Sequence, residues 1–128
     1  MDVLLDTHIM LWAWDGDKRL SKARKNFLMT KEVRAMVSVV SVWEIPIKSS
    51  LGKLDLSAPL EELVASFPEF HLEVSPLRLE HIHLVRTLPL HHRDPFDRML
   101  IAQARHEGMY LLTADPHFSA YDVSLIGA

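Results

Sequence analysis

The sequence predicts an α/β fold with a central, mainly parallel sheet and helices on both faces. Three observations carry this. Short apolar runs alternate with longer amphipathic segments along the chain. The apolar runs, such as Val3-Leu4-Leu5 and Tyr110 to Thr113, are too short for buried helices and lack the polar alternation of a half-exposed strand. The amphipathic segments carry helix stop and start signals at their ends.

In chain order, Val3 to Leu5 reads as a buried strand ending at Asp6. Thr7 to Trp14 reads as a helix stopped by Asp15-Gly16-Asp17. Ser21 caps a second helix running to about Lys31, and Ala35 to Val39 reads as a second buried strand. Ser41 to Leu51 is a predicted helix closed by Gly52, with Pro46 kinking it near its start. Pro59 to Phe67 is a short helix, Leu72 to Val74 an ambiguous short strand, and Pro76 to Leu88 helical. Pro89 to Arg93 is the least regular stretch. Asp94 to Glu107 is a helix closed by Gly108, followed by strands at Tyr110 to Thr113 and Val123 to Ile126. No repeat, linker or low-complexity tract interrupts the pattern, so residues 1–128 are expected to form one domain.

Composition narrows the function classes. With 128 residues and 48% hydrophobic content the chain can build a core. It has no cysteine, hence no disulfide framework and no thiolate metal site. No apolar run is long enough for a membrane span, and Met1 to Asp6 reads as a strand rather than a signal peptide. The expected location is cytoplasmic. A net charge of −3 argues mildly against nucleic-acid binding by a simple basic surface. Setting four clustered acids aside, however, leaves the rest of the surface near neutral, so an RNA substrate is neither supported nor excluded.

Four acids fall in telling places. Ligands of open α/β sheets bind outside the carboxyl ends of the strands. Asp6 ends the first strand, and Asp115 follows Thr113 at the end of a later one. Glu44 and Asp97 lie near the starts of helices, which after parallel strands begin at the same edge. On its helix Asp97 heads the apolar stripe of Leu100, Ile101 and Ala104, where a carboxylate needs a compensating partner. Structural readings stand beside the functional one. Asp94 with Pro95 and Asp97 makes a helix N-terminus, and Ser41 with Glu44 fits a capping box. Lys48 can pair with Glu44 one turn on, Asp6 can cap a helix, and Asp115-Pro116 can open a turn. Four carboxylates at one sheet edge repel unless cations neutralise them. Oxygen-only ligands suit Mg²⁺ or Mn²⁺, which activate water and polarise phosphodiesters. No Walker loop, dinucleotide fingerprint or nucleophile elbow is present.

The eight histidines do not suggest zinc, because neither cysteine nor a His-Glu-x-x-His motif accompanies them. His91, His92 and Arg93 read as a basic, substrate-facing loop, and His8 as a residue beside the site or merely on the surface. The tryptophans read as core. Trp12 and Trp14 with Met10 and Leu11 nevertheless carry more apolar area than one helix face can bury, which hints at an interface.

Leu4-Leu5-Asp6-Thr7-His8, Val42-Trp43-Glu44-Ile45, the run Asp94-Pro95-Phe96-Asp97 through Ala104, and Leu111-Leu112-Thr113-Ala114-Asp115 together resemble the successive motifs of PIN-domain toxins of the VapC type. The resemblance spans almost the whole chain in order. It implies a three-layer α/β/α fold, an Mg²⁺ or Mn²⁺ site, and endoribonuclease activity by metal-activated water. It also implies a homodimer and inhibition by a small cognate antitoxin, with part of Met10 to Trp14 or the Trp43 region reserved for an antitoxin segment. Carried over residue by residue, it assigns Asp6, Glu44, Asp97 and Asp115 as catalytic and metal-binding acids. Asp97 is preferred over Asp94 as the third, and Thr7 and Thr113 are supporting hydroxyls. Pro46 departs from the helix-friendly residue expected beside Glu44. Two other readings remain in view. A phosphatase or phosphotransfer domain is disfavoured by Asp6-Thr7-His8, which lacks a second acid two residues on. A non-catalytic binding module is disfavoured by the presence of all four acids.

Overall fold

Five strands form one all-parallel sheet in a computed structural model that describes residues 1–128. They are β1 (Asp2–Leu5), β2 (Arg34–Ser38), β3 (Leu72–Ser75), β4 (Tyr110–Thr113) and β5 (Leu125–Gly127). Their order is β3-β2-β1-β4-β5. The helices are α1 (Thr7–Asp15), α2 (Lys22–Leu28), α3 (Val39–Ser50), α4 (Leu60–Ser66), α5 (Leu79–Val85) and α6 (Pro95–Glu107). Short 3₁₀ turns span Phe67–Phe70 and Pro116–Ala120.

Successive side chains of a strand point to opposite faces, and here each face has its own core. Val3 and Leu5 of β1, Ala35 and Val37 of β2 and Leu112 of β4 pack with Ile9, Leu11, Leu28, Ile45 and Leu63 from α1 to α4. Leu4, Met36 and Leu111 point the other way, onto Leu100, Ile101 and Ala104 of α6 and onto Phe118. The continuous apolar strands and the Asp97-headed stripe of α6 are thus explained by the three-layer arrangement the sequence predicts.

Several boundaries differ from expectation, each for a local reason. Strand β2 stops at Ser38, whose hydroxyl caps α3 by accepting the Val40 amide at 3.0 Å. Val39, which reads as the last residue of the strand, and Val40 after it are the first turn of that helix. Ser41 is therefore not a cap, and the Ser41–Glu44 capping box does not form. Pro46 falls mid-helix, on the exposed side, rather than near the start. Helix α2 ends at Leu28, where the Thr30 hydroxyl turns back onto the Phe27 carbonyl. Residues 76–78 are not helical, Arg78 is extended, and α5 starts only at Leu79, with the His81 ring accepting the Arg78 amide at 3.0 Å. The ambiguous segment Leu72–Ser75 is a true strand, paired with β2.

Candidate active site

The strand order reverses direction at β1, which lies between β2 and β4. Crevices in open α/β sheets form at such a point, outside the strand carboxyl ends. Asp6 sits there. Its amide extends the pairing to the Leu112 carbonyl of β4 at 3.0 Å, and its Oδ1 caps α1 by accepting the Ile9 amide at 2.9 Å. Its Oδ2 accepts the Thr113 hydroxyl from the end of β4. Burial pushes the Asp6 carboxyl pKa up, against the Thr113 and Ile9 hydrogen bonds, and the charge of Asp115 adds to the rise.

Glu44 is carried into the interior by α3 and is 1% exposed. Thr7, the first residue of α1, donates to Glu44 Oε1 at 2.6 Å, and the Ser41 hydroxyl lies 2.9 Å from that of Thr7. Oε2 is paired with the Lys48 ammonium one helical turn on. Lys48 also reaches Asp94 Oδ2 at 2.9 Å, so one ammonium joins two carboxylates from different helices. Burial disfavours the charged lysine, but these two partners outweigh it and hold its pKa above the ordinary value.

Asp94 caps α6 as expected, its Oδ1 accepting the Phe96 amide at 2.9 Å and the Asp97 amide at 3.1 Å. Its burial is outweighed by Lys48 and these amides, which keep its pKa below the usual carboxylate value. Asp97 is different. Burial, and then the nearby charge of Asp94, push its carboxyl up to about 6, against a hydrogen bond from His92. Glu44 adds to the rise and Lys48 opposes it. His92 Nε2 lies 2.9 Å from Asp97 Oδ2.

Asp115 follows β4 and caps the Pro116–Ala120 turn, its Oδ1 accepting the His117 amide at 2.9 Å and meeting the His117 ring Nδ1 at 2.8 Å. Its partial burial is outweighed by these His117 contacts, which lower its pKa. The His117 ring stacks on that of His92, with centroids 5.0 Å apart and planes 10° from parallel.

Asp97 is the shared member of the cluster. Ligand atoms of Glu44, Asp94 and Asp97 lie within 4.8 Å of one another, as do those of His92, Asp97 and Asp115. Asp6 belongs to neither triplet and is linked to Asp115 through Thr113, whose hydroxyl also accepts the Asp115 amide at 3.0 Å. Most of the structural roles weighed in the sequence are present, namely caps by Asp6, Asp94 and Asp115 and the Glu44–Lys48 pair, while the Ser41–Glu44 capping box is not. The same side chains nonetheless gather at one edge. With metal–oxygen distances of about 2.0–2.6 Å, one cation can span donor atoms this close, so the residues fit an oxygen-liganded divalent ion.

Sequence reasoning missed His92, which it placed in a basic loop, and the double role of Lys48. Met10 and Leu11, expected to leave apolar area for an interface, are core residues. Trp12 is half-buried under the Arg19 guanidinium, which lies 4.7 Å from its ring. Trp43, read as core, is 59% exposed, with its ring edge-on to Phe96.

Comparison with known proteins agrees with the fold. The family model for the PIN domain matches residues 3–124, and the chain belongs to that family. No curated protein matches it by sequence. The fold is similar to VapBC2 from Rickettsia felis bound to a promoter DNA fragment, at 17% identity and a TM-score of 0.75, covering 99% of this chain and 98% of that one. It is similar to DNA-bound VapBC from Salmonella typhimurium, at 16% identity and a TM-score of 0.67, covering 99% and 98%. FitAcB from Neisseria gonorrhoeae is also similar, at 16% identity and a TM-score of 0.65, covering 97% and 96%.

Proposed function

We propose that this PIN-domain chain is an endoribonuclease dependent on Mg²⁺ or Mn²⁺, and the toxin half of a toxin–antitoxin pair. The observation that carries the reading is the meeting of two triplets at Asp97, beside the Asp6–Thr113 contact at the sheet's reversal point.

In this reading Asp6, Glu44, Asp97 and Asp115 form the acidic centre. A divalent cation held there would supply an activated water and neutralise charge building on a phosphodiester. The chain's own residues set the geometry. Thr113 orients Asp6 and the Asp115 backbone together. Thr7 turns Glu44 toward the centre. Lys48 keeps the Glu44 and Asp94 charges tolerable in the interior. Asp97 and Asp115 each have one oxygen engaged by a histidine, so the other can face a ligand. Arg93 is exposed one residue before Asp94 and offers a cation for an RNA phosphate.

The toxin role is supported by the VapBC and FitAcB structures the fold matches. An apolar groove of about 290 Å³, lined by residues including Ala13, Leu20, Leu28, Met29, Phe70 and Leu72, offers a small antitoxin protein a docking surface. A second apolar patch, with Trp43, Leu77, Phe96 and Met99, offers the antitoxin another surface, in the Trp43 region expected to receive it, and in this reading the chain also forms a homodimer. No helix is long and apolar enough to cross a membrane, and the reading places the protein in the cytoplasm.

The test is cleavage of a panel of structured RNAs by the purified chain with Mg²⁺ or Mn²⁺, with and without EDTA. The expected products carry a 5′-phosphate and a 3′-hydroxyl, and EDTA stops their formation. Cleavage unchanged by EDTA would overturn the proposal.

A further inference from the structure

His92 stands in a segment with no regular secondary structure, yet that segment is firmly tied down. The Tyr121 hydroxyl accepts the His91 amide at 3.1 Å and the His92 amide at 2.8 Å. The Arg98 guanidinium donates to the same hydroxyl at 3.2 Å and to the carbonyls of Pro89, Val85 and Leu88. Tyr121 and Arg98 thus hold the loop between α5 and α6 at several points, and His92 leaves it aimed at Asp97. Stacking on His117 fixes the plane of its ring. A surface-loop histidine serving only to soften the charge of Asp97 would need none of this scaffolding.

We propose that His92 is a nitrogen ligand of the divalent cation, its Nε2 joining Asp97 and Asp115 and biasing the centre toward Mn²⁺ over Mg²⁺. The inference rests on the acidic centre proposed above and adds to it a donor of a different kind. A ring nitrogen of His92 and an oxygen of each carboxylate already lie within 4.8 Å of one another, with Nε2 2.9 Å from Asp97 Oδ2, so no backbone rearrangement is required. Without a cation, Nε2–H donates to Asp97. As a ligand the ring would present its Nε2 lone pair, with the N–H on Nδ1, and Asp97 would offer an oxygen to the same ion. Imidazole suits first-row transition ions, whereas Mg²⁺ favours oxygen and water. His117 is more exposed and keeps its Nδ1 on Asp115. It orients the His92 ring and the Asp115 carboxylate without binding the ion itself.

The test is pulsed electron paramagnetic resonance of Mn²⁺ bound to the intact chain, which detects a directly coordinated ¹⁴N independently of any cleavage. The wild-type protein and the His117→Gln variant are expected to show the imidazole nitrogen coupling, and His92→Gln to lose it. Calorimetric titration should give His92→Gln at least tenfold weaker Mn²⁺ binding, with Mg²⁺ binding changed less than threefold. Circular dichroism checks that the variants are folded, and the wild-type spectrum answers the central question without them. Bound Mn²⁺ with no coordinated nitrogen would overturn the assignment of His92 while leaving the acidic centre standing. A nitrogen signal that survives in His92→Gln would overturn it equally. Wild-type protein that binds no Mn²⁺ would overturn both.

Discussion

The two sides of Asp97 handle negative charge in opposite ways. On the α3 side, Glu44 and Asp94 share the Lys48 ammonium, a cation built into the chain. On the β4 side, Asp97 and Asp115 meet only histidines, and no lysine or arginine pairs with them. The consequence is visible in the two acids at the head of α6. Asp94 is held below the ordinary carboxylate value, whereas burial and the Asp94 charge push Asp97, three residues on, up to about 6. An acidic cluster thus need not be uniform. One side is a finished ion-pair network that fixes geometry, and the other keeps an unmet demand for positive charge, where a divalent ion fits.

The largest effect on stability is expected from breaking the finished side. Lys48→Met leaves the buried Glu44 carboxylate without its cation and removes half of the Asp94 network. Losing one partner of a buried pair costs about 3–5 kcal/mol. Urea unfolding in EDTA should show a loss of that order, partly recovered when Mg²⁺ is added, because the ion then takes over the missing charge. Equal stability of variant and wild type in EDTA would mean that Lys48 is not the internal cation described.

The unfinished side makes a claim about pH. The folded pKa of Asp97 lies above the ordinary carboxylate value, at about 6. Folded protein therefore binds the Asp97 proton more tightly than unfolded protein does, and its contribution to stability falls as pH rises from about 4 through about 6. Asp97→Asn removes that penalty. In EDTA the variant should melt higher than wild type at pH 8, with the gap closing below about pH 4, where both side chains are neutral. Saturating Mg²⁺ should close the gap at pH 8 as well, because it favours the charged form. A gap independent of pH would contradict the electrostatic account.

A smaller effect is expected where Asp6 is tied to the β4 side. Thr113→Val keeps shape but deletes the hydroxyl that bonds Asp6 Oδ2 and accepts the Asp115 amide. The loss should be about 1–3 kcal/mol, the cost of leaving buried polar groups unpaired. Denaturant titration measures it, and a change under about 0.5 kcal/mol would show that Asp6 finds another donor.

Much of this was legible in the sequence. The short apolar runs marked the strands, and their ends placed Asp6 and Asp115 at one edge. Asp94-Pro95 marked the head of α6, so Asp97 fell one turn above an apolar stripe. The Glu44–Lys48 spacing announced its ion pair. What stayed hidden depended on tertiary contact. Val39 and Val40 have strand propensity, and only the Ser38 cap, with Ser38 bonded to Gln103 of α6 at 2.6 Å, turns them into helix. His92 lies outside any periodic segment. Its aim depends on Tyr121, nearly thirty residues away, which no local pattern reveals. The exposure of Trp43 was legible only through the resemblance, which points to the Trp43 region as a partner's surface, because composition says that a tryptophan tends inward and not which face of α3 is left uncovered.

Mg²⁺ and Mn²⁺ affinity for wild type, Asp97→Asn and Asp94→Asn, read by calorimetry beside RNA cleavage, separates the shared ligand from the helix cap. If Asp97 is the shared ligand, Asp97→Asn should weaken metal binding and cleavage by at least a hundredfold while the protein stays folded. Asp94→Asn retains the helix cap, and its carboxylate is already committed to Lys48, so it should lose less than tenfold in both. Equal losses in the two variants, or full metal binding and cleavage in Asp97→Asn, would contradict the account.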